Sequence, residues 1–182
     1  MACGKGLSGP KGTCGQCTVP YQRAWCVGSR QDYLRRLIDD YKFTNARSAY
    51  LPLADLLHER LPELPVSTVI VPIPTISSHI RQRGYDHMTL IASRFARLRG
   101  LRVDATLNRV TTTVQRGAGA RQRVKQAKVA FNSIRQLDPN AIYLLVDDVV
   151  TSGATVKYAA HTLIDAGAST VWVATISRQP VD

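Results

Sequence analysis

The segment YLLVDDVVTSGAT, Tyr143 to Thr155, carries the densest chemistry in the chain. Asp147 and Asp148 close an apolar run, and Thr151, Ser152, Gly153, Ala154 and Thr155 form a small-residue turn into a helical pattern. The first amides of a helix lack intrahelical acceptors and sit at the positive end of its dipole, so such a turn attracts a phosphate. Thr151, Ser152 and Thr155 add hydroxyl donors, and Gly153 lets the backbone bend its amides around the anion. The two carboxylates do the opposite. They repel an anion and accept hydrogen bonds from hydroxyls, directly or through Mg²⁺ and its waters. One ligand satisfies both: a sugar whose 5-phosphate sits in the turn while its 2- and 3-hydroxyls face Asp147 and Asp148. The turn has no lysine, which separates it from the nucleoside-triphosphate loop.

Two further clusters could do chemistry. Cys3, Cys14, Cys17 and Cys26 are all four cysteines of the chain and lie in its first 26 residues. Cys14-Gly-Gln-Cys17 is a spacing that lets two thiolates share one zinc in a tight turn, and four thiolates suit a tetrahedral structural site. A redox pair or free thiols is the competing reading, though the βαβ setting of a redox CxxC motif is missing. The second cluster is basic: Arg116, Arg121, Arg123, Lys125 and Lys128 lie in a Gly- and Ala-rich stretch without period, which reads as a mobile loop. Histidines 79, 87 and 161 are candidate proton carriers.

These groups need a scaffold, and the pattern describes one. AIYLLVDD is a continuous apolar run, as in a parallel strand covered on both faces. Val156, Ala159, Ala160, Leu163 and Ile164 then recur at helical spacing up to Gly167, and STVWVATIS is a second strand. Strand, helix and strand make a βαβ unit, so the fold is α/β with a mostly parallel sheet. Upstream, VSTVIVPIP is a buried strand stopped by prolines. DYLRRLIDDYKF is a helix with Tyr33, Leu34, Leu37, Ile38 and Tyr41 on one stripe, and SAYLPLADLLHERL is a second helix. GYDHMTLIASRFARLRG is a third, with Met88, Ile91, Phe95 and Leu98 on one face and a stop at Gly100.

The 182 residues allow one main domain with a small appendage, and a hydrophobic fraction of 45% suffices for a core. No stretch approaches the roughly 18 apolar residues of a membrane span, and the N-terminus lacks the apolar core of a signal peptide. A soluble cytoplasmic protein that does not bind membrane is expected. The net charge of +11 predicts attraction to nucleic acid, nucleotides or polyphosphates.

YLLVDDVVTSGAT resembles the phosphoribosyl-pyrophosphate signature of type I phosphoribosyltransferases. Beyond it, nearly the whole chain is similar to one branch of that superfamily, the ComF-type late-competence proteins. DYLRRLIDDYKF resembles their helix ending in Lys-aromatic. VIVPIPTISSHIRQRGYDHM resembles their Val-Pro-x-Pro segment followed by Arg-Gly-aromatic-Asn-Gln, with Asp86 and His87 in place of the last two. VQRGAGARQRVKQAKVAF resembles their Gln, Arg, Asn and Phe spacing, with Gln126 where Asn is usual.

The resemblance implies a phosphoribosyltransferase-like domain over 29–182 and a zinc-ribbon-like module over 1–28. The resembling ribbons use two CxxC knuckles, whereas only one is present here. Either Cys26 is the fourth ligand, or zinc is held poorly or not at all. With phosphoribosyl pyrophosphate and Mg²⁺ as ligands, the expected reaction is displacement of pyrophosphate at the anomeric carbon, with Asp147 and Asp148 stabilising charge on the ribose. Pro74 and Thr75 and the basic loop residues Arg116, Arg121 and Arg123 would face the departing pyrophosphate. The family role implied is natural competence, the handling of DNA taken up by the cell. The alternative is a non-catalytic adaptor that senses a sugar phosphate and binds single-stranded DNA or a DNA-handling partner such as a competence helicase. DNA contacts would then be mostly to phosphates and strongly salt-dependent, because no basic strand is interleaved with aromatics.

Overall fold

The structure is a computed structural model that describes residues 19–44, 46–110 and 131–179. Five parallel strands form its sheet, in the order β1-β7-β6-β2-β3: β1 (Arg23–Ser29), β2 (Thr68–Pro72), β3 (Arg102–Val103), β6 (Ile142–Val150) and β7 (Thr170–Arg178). A separate antiparallel pair joins β4 (Leu107–Arg109) to β5 (Phe131–Ser133). The helices are α1 (Asp32–Phe43), α2 (Tyr50–Arg60), α3 (Ser77–Arg83), α4 (His87–Arg99) and α5 (Ala154–Asp165), with a 3₁₀ turn at Arg47–Ala49.

Alternation along the strands assigns each side chain to one of two cores. Val69, Val71, Tyr143, Leu145, Val171 and Val173 pack with Val156, Ala159, Ala160 and Leu163 of α5 and with the β4–β5 pair. Ile70, Leu144, Val146, Trp172, Ala174 and Ile176 face the other way, onto Ile38, Tyr41, Leu53, Leu57, Met88, Ile91 and Phe95 of α1, α2 and α4. Burial on both faces explains why β2 and the first part of β6 read as unbroken apolar runs.

The expected strands and helices around β2, β6 and β7 are present, with differences at their ends. Tyr33 is 71% exposed rather than buried, because α1 meets the core through Leu34, Leu37, Ile38 and Tyr41 and leaves Tyr33 off that face. Ile164 is also exposed, to 38%. All but the last residue of Arg23–Ser29 lies inside the stretch 1–28 expected to form the Cys-rich module, yet it is a strand paired in parallel with β7 at the edge of the described sheet. Cys26 is therefore a strand residue, its Sγ donating to Gly28 O at 3.2 Å. Part of the basic character is structural. Arg94 bonds Asp55, and Arg99 donates to the carbonyls of His58, Leu61 and Pro62, closing the end of α2.

One mismatch of strand lengths makes the crevice. The β2–β6 ladder ends at Pro72 opposite Val146, whereas the β6–β7 ladder runs on to Val150 opposite Arg178. Pro72 and Pro74 have no amide hydrogen to extend the β2 ladder, and the last β2–β6 bond runs from Ile73 N to Val146 O at 3.0 Å. Beyond it the chain leaves the sheet, and the end of β6 is open on one side.

Candidate functional site

Asp147 and Asp148 lie inside β6, at the start of this open end, and the strand runs on past them to Val150. Because neighbouring strand residues point to opposite faces, the two acids have different surroundings. Asp148 turns toward α1 and α4 and is buried. Its Oδ2 receives the Lys42 ammonium at 2.7 Å and His87 Nε2 at 2.7 Å. Asp147 turns toward α5 and Arg109. It is partly exposed, and its Oδ1 accepts from the Asp148 amide at 2.9 Å.

The different settings drive the acidities apart. Burial, and then the charge of Asp148, push the Asp147 carboxyl up to about 7, against the pull of Lys42 and Arg109. For Asp148 burial acts in the same upward direction. The hydrogen bond from His87 and the Lys42 charge outweigh it and hold this carboxyl well below the usual range. The cations on the Asp147 side also respond. Arg109 is lowered by burial, which the charge of Asp147 opposes. His79, exposed at the rim, is lowered by slight desolvation and by Arg83, His87, Lys42 and Arg109.

Both acids line a cavity of about 180 Å³ with Lys42, Pro74, Thr75, His79, His87, Arg109 and Thr155. The structure thus brings the acid pair, the loop after β2 and the start of α5 to one place. Thr151, Ser152 and Ala154 are exposed beside it, in a turn held open by Gly153 at φ 76°. The first helical bond of α5 runs from Lys157 N to Gly153 O, and of the amides before it that of Ala154 donates to Ser152 Oγ at 3.4 Å. Pro74 and Thr75 both line this cavity. The Thr75 side chain is buried, and its hydroxyl donates to Asp86 Oδ1 at 2.8 Å, so toward a ligand this loop offers backbone rather than hydroxyl. His161 is exposed on α5 and does not line the cavity. Arg116, Arg121, Arg123, Cys3, Cys14 and Cys17 lie outside the described residues.

Lys42 and Arg109 had no role assigned from sequence, and His87 had only that of a candidate proton carrier. Lys42 is the lysine of the Lys-aromatic helix end, so its signal was in the pattern without a purpose. His87 occupies the position where the motif departs from its relatives. Arg109 carries no motif, and only the fold places it opposite Asp147.

The donor set can be weighed against Mg²⁺. Among the described residues no group of three or more His, Cys, Asp or Glu forms a metal cage. Mg²⁺ is usually held by one or two carboxylates together with waters and substrate phosphates. Asp147, open to the cavity, fits that part, so the residues suit an ion that arrives with a phosphorylated ligand. For zinc, Cys26 is the one candidate thiolate among the described residues.

The chain is 32% identical to "DNA utilization protein YhgH" of Salmonella typhi, over 97% of this chain and 82% of that protein. It belongs to the ComF-type competence protein family. Another member, "Competence protein F" of Haemophilus influenzae, is 29% identical over the same shares, 97% and 82%. No family model matches the chain. Among solved structures, the chain is similar to the glutamine phosphoribosylpyrophosphate amidotransferase of B. subtilis complexed with ADP and GMP, with TM-score 0.48 and 19% identity. That alignment covers 70% of this chain and 26% of the amidotransferase, so the chain spans about a quarter of it. No helix among the described residues is long and apolar enough to cross a membrane.

Proposed function

We propose that this family member binds phosphoribosyl pyrophosphate with Mg²⁺, in a phosphoribosyltransferase-type site, and serves the use of DNA taken up by the cell. The observation that carries the reading is the single cavity joining Asp147, Asp148, Thr155, the loop at Thr75 and Arg109. In this reading the turn 151–155 receives the 5-phosphate through its amides and hydroxyls. Asp147 accepts from a ribose hydroxyl, and its carboxylate is placed to stabilise positive charge growing on the ring. Arg109, with Arg116, Arg121 and Arg123, balances the charge of departing pyrophosphate. Mg²⁺, when bound, would neutralise pyrophosphate oxygens. Zinc in the N-terminal module and a cytoplasmic location complete the proposal.

Calorimetric titration with phosphoribosyl pyrophosphate and Mg²⁺ tests it. Wild type should bind, and Asp147→Ala/Asp148→Ala should not. Binding that survives the double substitution sinks the assignment of the acids.

One observation favours the adaptor as second reading: Asp148 is already satisfied by Lys42 and His87, so one of the two acids is committed inside the fold. The site would then sense the sugar phosphate, while the basic surface contacts single-stranded DNA or a DNA-handling partner. Pyrophosphate release on adding a nucleobase favours the enzyme. Its absence with every base tried, together with DNA binding that falls steeply with salt, favours the adaptor.

A further inference from the structure

Asp86 and His87 stand where the sequence departs from its family pattern, and the structure places them between the site's two walls. Asp86 is the N-cap of α4, accepting from the amides of Met88 at 3.0 Å and Thr89 at 3.3 Å. The same oxygen accepts the Thr75 hydroxyl at 2.8 Å. His87 is buried, with Nε2 2.7 Å from Asp148 Oδ2. Its Nδ1 lies 3.0 Å from Thr75 Oγ1 and 3.2 Å from Arg83 Nη1. The Tyr41 hydroxyl donates to His87 O at 2.9 Å, and the two rings meet edge to face, fixing the residue from behind.

Donor and acceptor roles follow from the partners. An ionised Asp148 can only accept, so Nε2 carries the hydrogen. A guanidinium can only donate, so Nδ1 presents its lone pair, toward Arg83 Nη1 and the Thr75 hydroxyl. The Thr75 hydroxyl hydrogen has two acceptors in reach, His87 Nδ1 at 3.0 Å and Asp86 Oδ1 at 2.8 Å, and is shared between them in a three-centre bond. The imidazole therefore spans, in one rigid plane, the distance from the acid on β6 to the loop after β2.

We propose that His87 is a positioning residue: it ties the Thr75 loop to Asp148 and, with Asp86, sets the height of the pyrophosphate-side wall above the acids. The ligand part of this claim rests on the sugar-phosphate reading above, whereas the positioning part does not. Truncating the imidazole removes the bridge but touches neither the turn 151–155 nor Asp147. The loop should loosen while the 5-phosphate end stays intact. An amide side chain also offers one donor and one acceptor, so glutamine should restore the bridge and alanine should not.

The test uses the full chain as wild type, His87→Ala, His87→Gln and Thr75→Val. Hydrogen–deuterium exchange is followed at the amides of residues 73, 75 and 76. Inorganic pyrophosphate and ribose 5-phosphate, each with Mg²⁺, are the binding probes. Loss of a hydrogen bond to a charged group predicts exchange about tenfold or more faster in His87→Ala, with pyrophosphate affinity falling by a similar factor. Ribose 5-phosphate should change by less than about threefold, and His87→Gln should stay within about threefold of wild type throughout.

Loop exchange unchanged in His87→Ala, or His87→Gln as disturbed as His87→Ala, overturns the proposal. So does equal loss of both probes. If His87→Ala does not fold, Thr75→Val decides: it should speed loop exchange by a like amount, and no change in it overturns the tie. If wild type binds neither probe, the sugar-phosphate reading fails, and exchange in the ligand-free protein alone decides the positioning role.

Discussion

Lys42→Met isolates the least expected contact of the site. The substitution keeps the volume of the side chain and removes its charge, leaving the buried Asp148 carboxylate with His87 as its remaining side-chain partner. Removing one member of a buried ion pair costs about 3–5 kcal/mol. Lys42 retains 18% side-chain exposure and Asp148 retains 7%, so some water reaches the pair, and the His87 bond persists. A loss of about 2–3 kcal/mol follows, or roughly 5–10 °C in melting temperature for a domain of this size.

The pH profile should change with it. The Asp148 carboxyl is held below its unfolded value, so it stabilises the fold above the ordinary carboxylate range, and that stability is lost as pH falls. Without Lys42 its folded value rises toward the unfolded one, so less stability is lost on acidification and the acid slope should flatten. Thermal melts from about pH 2 to pH 7 on wild type, Lys42→Met, Asp148→Asn and the double variant give both the magnitude and the coupling. A Lys42→Met melting temperature within about 2 °C of wild type at pH 7, or additive single effects, would refute the argument.

Asp147 should behave in the opposite sense. Its carboxyl is raised to about 7 by burial and by Asp148, so the folded chain holds a proton that the unfolded chain has released, and stability falls as pH rises through that window. Asp147→Asn should raise the melting temperature at pH 8 and flatten this slope while weakening binding of phosphoribosyl pyrophosphate. Gly153→Ala meets no atom closer than Val150 Cγ2 at 3.9 Å, so its cost of about 1–2 kcal/mol is left-handed backbone strain. Melting should drop by a few degrees, and calorimetry with ribose 5-phosphate should show weaker binding. Elemental analysis of the full chain should find about one zinc, falling in Cys26→Ser if that thiolate is the fourth ligand, and less than about 0.2 per chain would reject the four-thiolate site.

What was legible in the sequence was local. The run from Tyr143 to Val146, the acids, the turn at Gly153 and the stripe through Val156 and Leu163 are contiguous, so strand, site and helix could be read together. What escaped depends on pairing over distance. RAWCVGS is a strand because β7 lies beside it, and nothing in seven residues of mixed character announces a partner so far along the chain. SSHIRQR buries no residue, so α3 carries no apolar period. β4 and β5 are too short to show alternation. The unequal roles of Asp147 and Asp148 were also hidden. Adjacency suggested a matched pair, whereas the pleat sends one to Lys42 and His87 and the other to Arg109.

The pairing of β1 with β7 has a consequence for how the protein is made. Thr175 donates its hydroxyl to Trp25 O across 150 residues of chain. During synthesis β1 must wait, with its side of the β1–β7 ladder unclaimed, until β7 has been added. Contacts so distant in sequence form late and slow the search for the native state. Until β7 is added, the unpaired edge of β1 is open to other chains, as unpaired strand edges are in folding intermediates.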